Sequence, residues 1–147
     1  MTTVQVPQVE VRPVRLEDME SVYRLEDACF KDPYPSYFLD QLAEANPLSF
    51  LVATVKGDVV GYAVVDRWRD HDHLVSMAVH PEVGRRGIGR RLLAALWAGL
   101  EVDKPLRLEV RKSNAAAMGL YLGSGFRRIG EVEGYYGDGE DAVLMEK

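Results

Sequence analysis

The 147-residue sequence predicts one mixed α/β domain over residues 1–147, a mixed central sheet of about six or seven strands flanked by about four helices. Three observations predict it. Short runs alternate apolar and polar residues with a period of two, amphipathic stretches with a period near 3.6 lie between some of them, and one alternating run passes through a glycine-rich turn into a helix and then another strand. That last arrangement is a βαβ unit. A hydrophobic content of 47% is enough for a single core.

Residues 9–14 read as a first strand and 16–30 as a helix with Leu16, Met19, Tyr23 and Cys29 or Phe30 turned inward. Asp32-Pro33-Tyr34-Pro35 cannot continue that helix, because neither proline has an N–H, so 31–36 is a loop and the next helix lies near 36–44. Residues 50–55 and 59–68 flank Lys56-Gly57-Asp58 as arms of a hairpin. Strand 74–79, helix 88–100 and strand 106–111 form the βαβ unit. Ser113 or Asn114 caps a helix through Ala115-Ala116-Ala117 to Tyr121 or Leu122, which Gly123 or Gly125 ends. Strands 126–132 and 142–146 close the chain around the loop 133–141.

Composition narrows the function. No apolar stretch reaches the ~18 to 20 residues that span a bilayer, and the first ten residues lack the basic and apolar regions of a signal peptide. A soluble, cytoplasmic protein without a membrane partner is expected. Cys29 has no second cysteine for a disulfide or a zinc pair. His71 and His73 stand two apart as a metal pair would, but no third ligand is evident, so no metal is expected. The net charge of −5 disfavours specific nucleic-acid binding, yet four arginines crowd into positions 85–91.

Those arginines belong to Gly84-Arg85-Arg86-Gly87-Ile88-Gly89-Arg90-Arg91, between strand 74–79 and helix 88–100. A Gly-rich turn at a helix N-terminus can hold a polyphosphate on backbone N–H groups, with Gly87 and Gly89 allowing close approach. It is not a Walker loop, since no Gly-Lys-Ser or Gly-Lys-Thr follows. The dinucleotide fingerprint also fails, because Leu92 stands at the third glycine position. The plain alternative is a helix start with solvated arginines, although arginines there oppose the macrodipole unless an anion is present.

This turn resembles the signature of the GNAT family, the Gcn5-related N-acetyltransferases: Arg/Gln-x-x-Gly-x-Gly/Ala after the fourth strand. The resemblance continues in Ser76-Met77-Ala78-Val79-His80-Pro81, Leu108-Glu109-Val110-Arg111, Ser113-Asn114-Ala115-Ala116-Ala117, Leu120-Tyr121 to Gly125-Phe126, and the segment from Gly134-Tyr135-Tyr136 to Ala142 with Met145. All follow the RimI-type and archaeal branch, which acetylates protein N-termini. The match is close over residues 50–147 and loose before them. One departure is Gly84, which stands where the family has Gln or Arg; backbone donors need no side chain there.

The resemblance implies a GNAT fold with acetyl-CoA as cosubstrate. Arg85, Arg86, Gly87, Ile88, Gly89 and Arg90 would hold the pyrophosphate. Met77, Ala78 and Val79 would offer main-chain groups to pantetheine and the thioester carbonyl, and Asn114 would contact the pantetheine arm. Glu109 would be the general base and Tyr121 the general acid. Alternation puts Glu109 opposite Leu106, Leu108 and Val110, where a carboxylate neutralised by Arg107 and Arg111 is the plain alternative; Tyr121 could equally be a core aromatic. His73, read as sharing a face with Val75 and Met77, is a candidate second base against an ordinary surface histidine. Asp32, Tyr34, Tyr135 and Tyr136 would wall the acceptor groove.

The acceptor expected is a protein N-terminus. An α-amine is roughly 10 to 20% neutral near pH 7, whereas a lysine is about 0.04% neutral, so the former needs less help. The expected enzyme is an Nα-acetyltransferase of nascent or ribosomal proteins working by direct attack, compatible with a transient ribosome contact. The alternatives are a lysine or small-amine acetyltransferase and a non-catalytic CoA-binding regulator.

Overall fold

The computed structural model describes residues 8–83, 87–101 and 103–147. Its strands are β1 (Val9–Pro13), β2 (Phe50–Val55), β3 (Asp58–Arg67), β4 (Asp72–Val79), β5 (Leu106–Arg111), β6 (Arg127–Val132) and β7 (Ala142–Glu146). The helices are α1 (Met19–Cys29), α2 (Ser36–Ala45), α3 (Ile88–Gly99) and α4 (Ala115–Gly123). All strands join one sheet in the order β1-β2-β3-β4-β5-β7-β6, with β4 and β5 parallel and every other neighbouring pair antiparallel. The number, type and order of elements follow the sequence reading.

Local chemistry explains the punctuation. Lys56 and Gly57 have φ of 51° and 84°, as a two-residue hairpin turn that follows strand twist requires. α4 is capped by Asn114, whose Oδ1 accepts from Ala117 N–H at 3.1 Å. Its far end reverses at Gly125, whose φ of 97° lets Phe126 N–H reach back to Tyr121 O at 3.0 Å.

Helices cover both faces of the sheet. On one, Ile88, Leu92, Leu93 and Leu96 of α3 and Tyr121 of α4 pack on Leu51, Ala63, Leu74, Leu108 and Val110. On the other, Met19, Val22 and Leu25 of α1 and Leu39 and Leu42 of α2 pack on Phe50, Val52, Tyr62 and Val64. Such spacings give each helix one apolar stripe.

Two expectations need correction. Leu16 is 89% exposed and Phe30 is also exposed; the inward face of α1 is Met19, Val22, Leu25 and Glu26. A short 3₁₀ turn, Leu16–Asp18, precedes α1 and shifts the helical phase. Asp18 takes the inner place, accepting from the Arg12 guanidinium at 2.7 and 2.9 Å and from Arg15 N–H at 2.7 Å. The second correction concerns β4. Ser76 pairs with Val64 and Leu74 with Val65, so Val75 is an extra residue, a β-bulge. The bulge sends Met77 to the α3 face while Val75 packs on the α1 side. His73 reaches Glu109, on the face of β5 opposite Leu108, so it shares a face with Val75 but not with Met77.

The hydrogen bonds from Arg12 hold the Asp18 carboxyl below its ordinary value of 3.8. Its stabilising effect is therefore complete above that value and lost as pH falls through the lowered folded one. Asp18→Asn is expected to cost about 2 kcal/mol at neutral pH. In urea titrations from neutral to strongly acidic pH, the gap between wild type and variant should close at the acid end.

Candidate active site

The parallel strands β4 and β5 pair only at Asp72–Leu106 and His73–Arg107. Beyond those positions no ladder pair joins them, which leaves the ladder between β4 and β5 open. The β3–β4 ladder determines what faces it. His80 N–H donates to Val60 O at 2.7 Å, so alternation makes Tyr62–Ala78 and Val64–Ser76 the hydrogen-bonded pairs. The main-chain groups of Met77 and Val79 then turn away from β3, the Val79 carbonyl accepting from Cys29 Sγ at 3.6 Å, whereas those of Ala78 are engaged with β3.

α3 begins at the same place. A Cβ on Gly89 would lie 3.8 Å from Met77 Cε and 3.9 Å from Val79 Cγ2. Gly87, at the N-cap, has φ of 75°, a left-handed conformation that favours glycine. The first helical bond runs from Arg91 N–H to Gly87 O at 3.0 Å, so the N–H groups of Ile88, Gly89 and Arg90 have no helical acceptor, and no side chain caps them among the described residues. Gly89 has a further role: a Cβ there would stand 3.0 Å from Leu120 Cδ2, so its absence lets α3 approach α4. Arg90 leans toward the end of α4, with Nη2 3.8 Å from where a Cβ on Gly123 would be. Arg85 and Arg86 lie outside the described residues. Asn114 is exposed, and its capping bond uses only the side-chain oxygen.

Glu109 sits on β5 beside the opening, on the α1 side. Both its carboxylate oxygens approach His73 Nε2, at 2.9 and 2.8 Å, and Tyr135 donates its hydroxyl to Oε1 at 3.2 Å. Burial, then the negative Glu109, pushes the Tyr135 hydroxyl up to about 12, so it remains a donor at neutral pH. Tyr121 lies across the sheet from this group, in the α3–α4 core, edge-on to Phe126 at 5.7 Å. Burial raises its hydroxyl well above the ordinary value and keeps it protonated.

Two of the other residues expected at the acceptor side, Asp32 and Tyr136, come together around Arg111. Its guanidinium bonds Asp138 at 2.9 and 3.0 Å and Glu140 at 2.9 Å, lies 3.5 Å from Asp32 Oδ2, and stands 4.1 Å above the Tyr136 ring. The loop before α2 is thereby tied to the loop between β6 and β7. Tyr34 packs on Phe38 with ring centroids 4.8 Å apart.

Sequence reasoning missed Glu26. Only 1% exposed on α1, it accepts from the Tyr62 hydroxyl, from Ser76 Oγ at 2.9 Å and from the Tyr34 N–H at 2.9 Å. It thus fixes the proline loop against the sheet beside the bulge. The one available signal was a carboxylate four residues after Val22 on an apolar stripe, which looks like a helix edge until the fold is known.

Comparison with known proteins places this architecture. The sequence model of the acetyltransferase (GNAT) family matches residues 19–126. An N-alpha-acetyltransferase of Saccharolobus solfataricus is 33% identical over 152 aligned residues, covering 93% of this chain and 91% of that protein. A putative [ribosomal protein bS18]-alanine N-acetyltransferase of Bacillus subtilis is 35% identical, covering 92% of each. The crystal structure of Ard1 from Thermoplasma volcanium matches with a TM-score of 0.87 at 29% identity, over 95% of this chain and 96% of that one. A family model that spans most of the residues, on a fold shared from end to end, leaves one conclusion: the chain belongs to the acetyltransferase (GNAT) family.

Proposed function

We propose that this chain is an acetyl-CoA-dependent protein Nα-acetyltransferase, acting in the cytoplasm on the α-amine of nascent or ribosomal proteins by direct attack in a ternary complex. The observation that carries the reading is the opening between β4 and β5, which has chemically different mouths on the two faces of the sheet. On the α3 side are helix N–H groups that have no partner among the described residues, together with the main-chain groups of Met77 and the Val79 N–H, a set that fits a diphosphate and an amide-bearing arm. On the α1 side are Glu109, His73 and Tyr135, which suit an amine.

In this reading Glu109 takes the ammonium proton, and the neutral amine attacks the thioester carbon held in the opening. The main chain of β4 polarises the thioester carbonyl, Tyr121 gives its hydroxyl proton to the departing thiolate, and the second proton lost by the attacking amine restores the Tyr121 hydroxyl. Burial keeps the Tyr121 proton in place and also makes it a weaker acid, so its donation depends on the thiolate forming beside it in equally poor solvation. The names of the two curated relatives support a protein N-terminus as acceptor, and the lower pKa of an α-amine supports it over lysine. Lysine or small-amine transfer on the same site is separated by assaying free-N-terminal peptides against blocked, lysine-containing ones.

Glu109→Gln and Tyr121→Phe are each expected to lower kcat on peptide acceptors by about 10²-fold or more, with little change in KM for acetyl-CoA. Unchanged kcat in both would end the acid–base assignment. Arg86→Glu is expected to weaken CoA binding in calorimetry by about tenfold or more, because it reverses a charge proposed to face diphosphate; intact affinity would put the cradle elsewhere. Glu26→Gln is expected to raise the peptide KM more than that of acetyl-CoA, since it loosens the loop carrying Tyr34.

A further inference from the structure

Arg90, Leu93, Ala94 and Trp97 recur at i, i+3, i+4 and i+7, so they make one stripe along α3. Ala94 is small and leaves a gap at the middle of that stripe. Opposite, α4 ends in Gly123-Ser124-Gly125, three residues too small to fill the space between α3 and the starts of β5 and β6. What remains is a cavity of about 110 Å³, walled mainly by apolar side chains and completed by Leu106, Phe126 and Lys147. A dry apolar cavity of roughly 150 Å³ holds benzene, so this one takes most of a small ring. The proposed reaction makes no use of it.

Two cations converge on the Gly-Ser-Gly turn. Arg90 Nη2 lies 3.8 Å from where a Cβ on Gly123 would be, and Lys147 Nζ lies 3.5 Å from the same position on Gly125. Lys147 exchanges main-chain bonds with Leu106 at 2.8 and 2.9 Å, and its ammonium stands 4.3 Å from the centre of the Trp97 ring. Neither cation forms an ion pair among the described residues, and Glu146, next to Lys147, is engaged by Arg107 and Arg127. The Ser124 hydroxyl, buried between the two glycines, has no hydrogen-bond partner among the described residues. A buried hydroxyl left so is costly, and an acceptor seated at the turn would relieve it.

We infer that this cavity is a second binding site, for a small monocarboxylate with an apolar body. The carboxylate sits at the turn between Arg90 and Lys147, with the Ser124 hydroxyl as a further donor, and the apolar body lies against Leu93, Ala94 and Phe126. A pair of cations repels an amine or a metal ion, and apolar walls leave the outer oxygens of a bare phosphate or a sugar without partners. The occupant therefore has one compact anionic end. Gly89, packed on Met77, Val79 and Leu120, faces the open β4–β5 ladder, whereas the cavity lies past Arg90 toward the C-terminal half of α3. Its strand residues, Leu106 and Lys147, stand at the start of β5 and just past β7, about 10 Å along the sheet from Glu109. The Arg90 side chain is thus drawn away from the proposed diphosphate cradle, while its N–H stays there.

The test is titration of the full, isotope-labelled chain with benzoate, followed by NMR of the indole N–H signals. Two tryptophans give two signals, which Trp97→Phe assigns. Benzoate is expected to move the Trp97 signal saturably, with a Kd on the order of 1 mM, and to leave the Trp68 signal in place. Benzamide, the uncharged isostere, and inorganic phosphate, which lacks the apolar body, should each bind about tenfold more weakly or worse. Lys147→Gln and Arg90→Gln should each weaken benzoate by about fivefold or more. Ala94→Leu fills the gap while keeping both charges, and should abolish the shift. Saturating CoA should leave benzoate bound. No saturable shift, equal affinity for benzamide, a full benzoate response in Ala94→Leu, or displacement of benzoate by CoA would each overturn the site. Should Ala94→Leu unfold, Lys147→Gln, benzamide and the CoA competition decide on the same criteria.

Discussion

Beyond His73 and Arg107, β4 and β5 exchange no ladder bonds, and the site is built on that interruption. A strand interior with unpaired N–H and C=O groups is costly, about 1–3 kcal/mol for each buried group left unsatisfied. The bulge at Val75 re-aims β4 just past the last paired residues. Strongly paired neighbours, β3 on one side and β7 on the other, keep both strands in the sheet despite the opening. The main-chain groups of Met77 and the Val79 N–H then have no strand partner among the described residues, and an extended, amide-bearing ligand can complete the ladder there, while the Val79 carbonyl accepts from Cys29 Sγ at 3.6 Å.

An opening through a sheet also divides charge. The arginines of the sequence gather where β4 passes into α3, and the carboxylates Glu26, Glu109 and Asp32 gather on the α1 side. In the proposed function, a polyanionic donor and a cationic amine would approach from opposite faces of the sheet. The net charge of −5 hides this division entirely.

What the sequence made legible was whatever depends on local period and local breakers. Leu106, Leu108 and Val110 alternate against Glu109 without a bulge, so the orientation of Glu109 could be read directly. The ends of α1, α2 and α4 follow from Pro33, Pro35, Asn114 and Gly125. The errors came where tertiary pairing overrides period. No glycine or proline marks the bulge in β4, so Met77 was read onto the wrong face. Leu16 was carried inward because a 3₁₀ turn, bound by Asp18 and Arg12, is not visible as a change of pattern. Glu26 escaped notice because its partners Tyr62 and Ser76 lie 36 and 50 residues away.

In the proposed function, Arg111 links the chemistry to acceptor recognition. It stands two residues after Glu109 on the same face of β5, and its guanidinium gathers Asp32, Asp138, Glu140 and the face of Tyr136. A single exposed ion pair would contribute little. Here one half-buried guanidinium serves two loops at once, and bonding several carboxylates in one plane limits how either loop can move. On the proposed reading, the wall of the acceptor groove is therefore referenced to the strand that carries Glu109. An amine seated against Tyr34 and Tyr135 would be positioned relative to Glu109 by β5 itself, over a few ångströms of regular backbone.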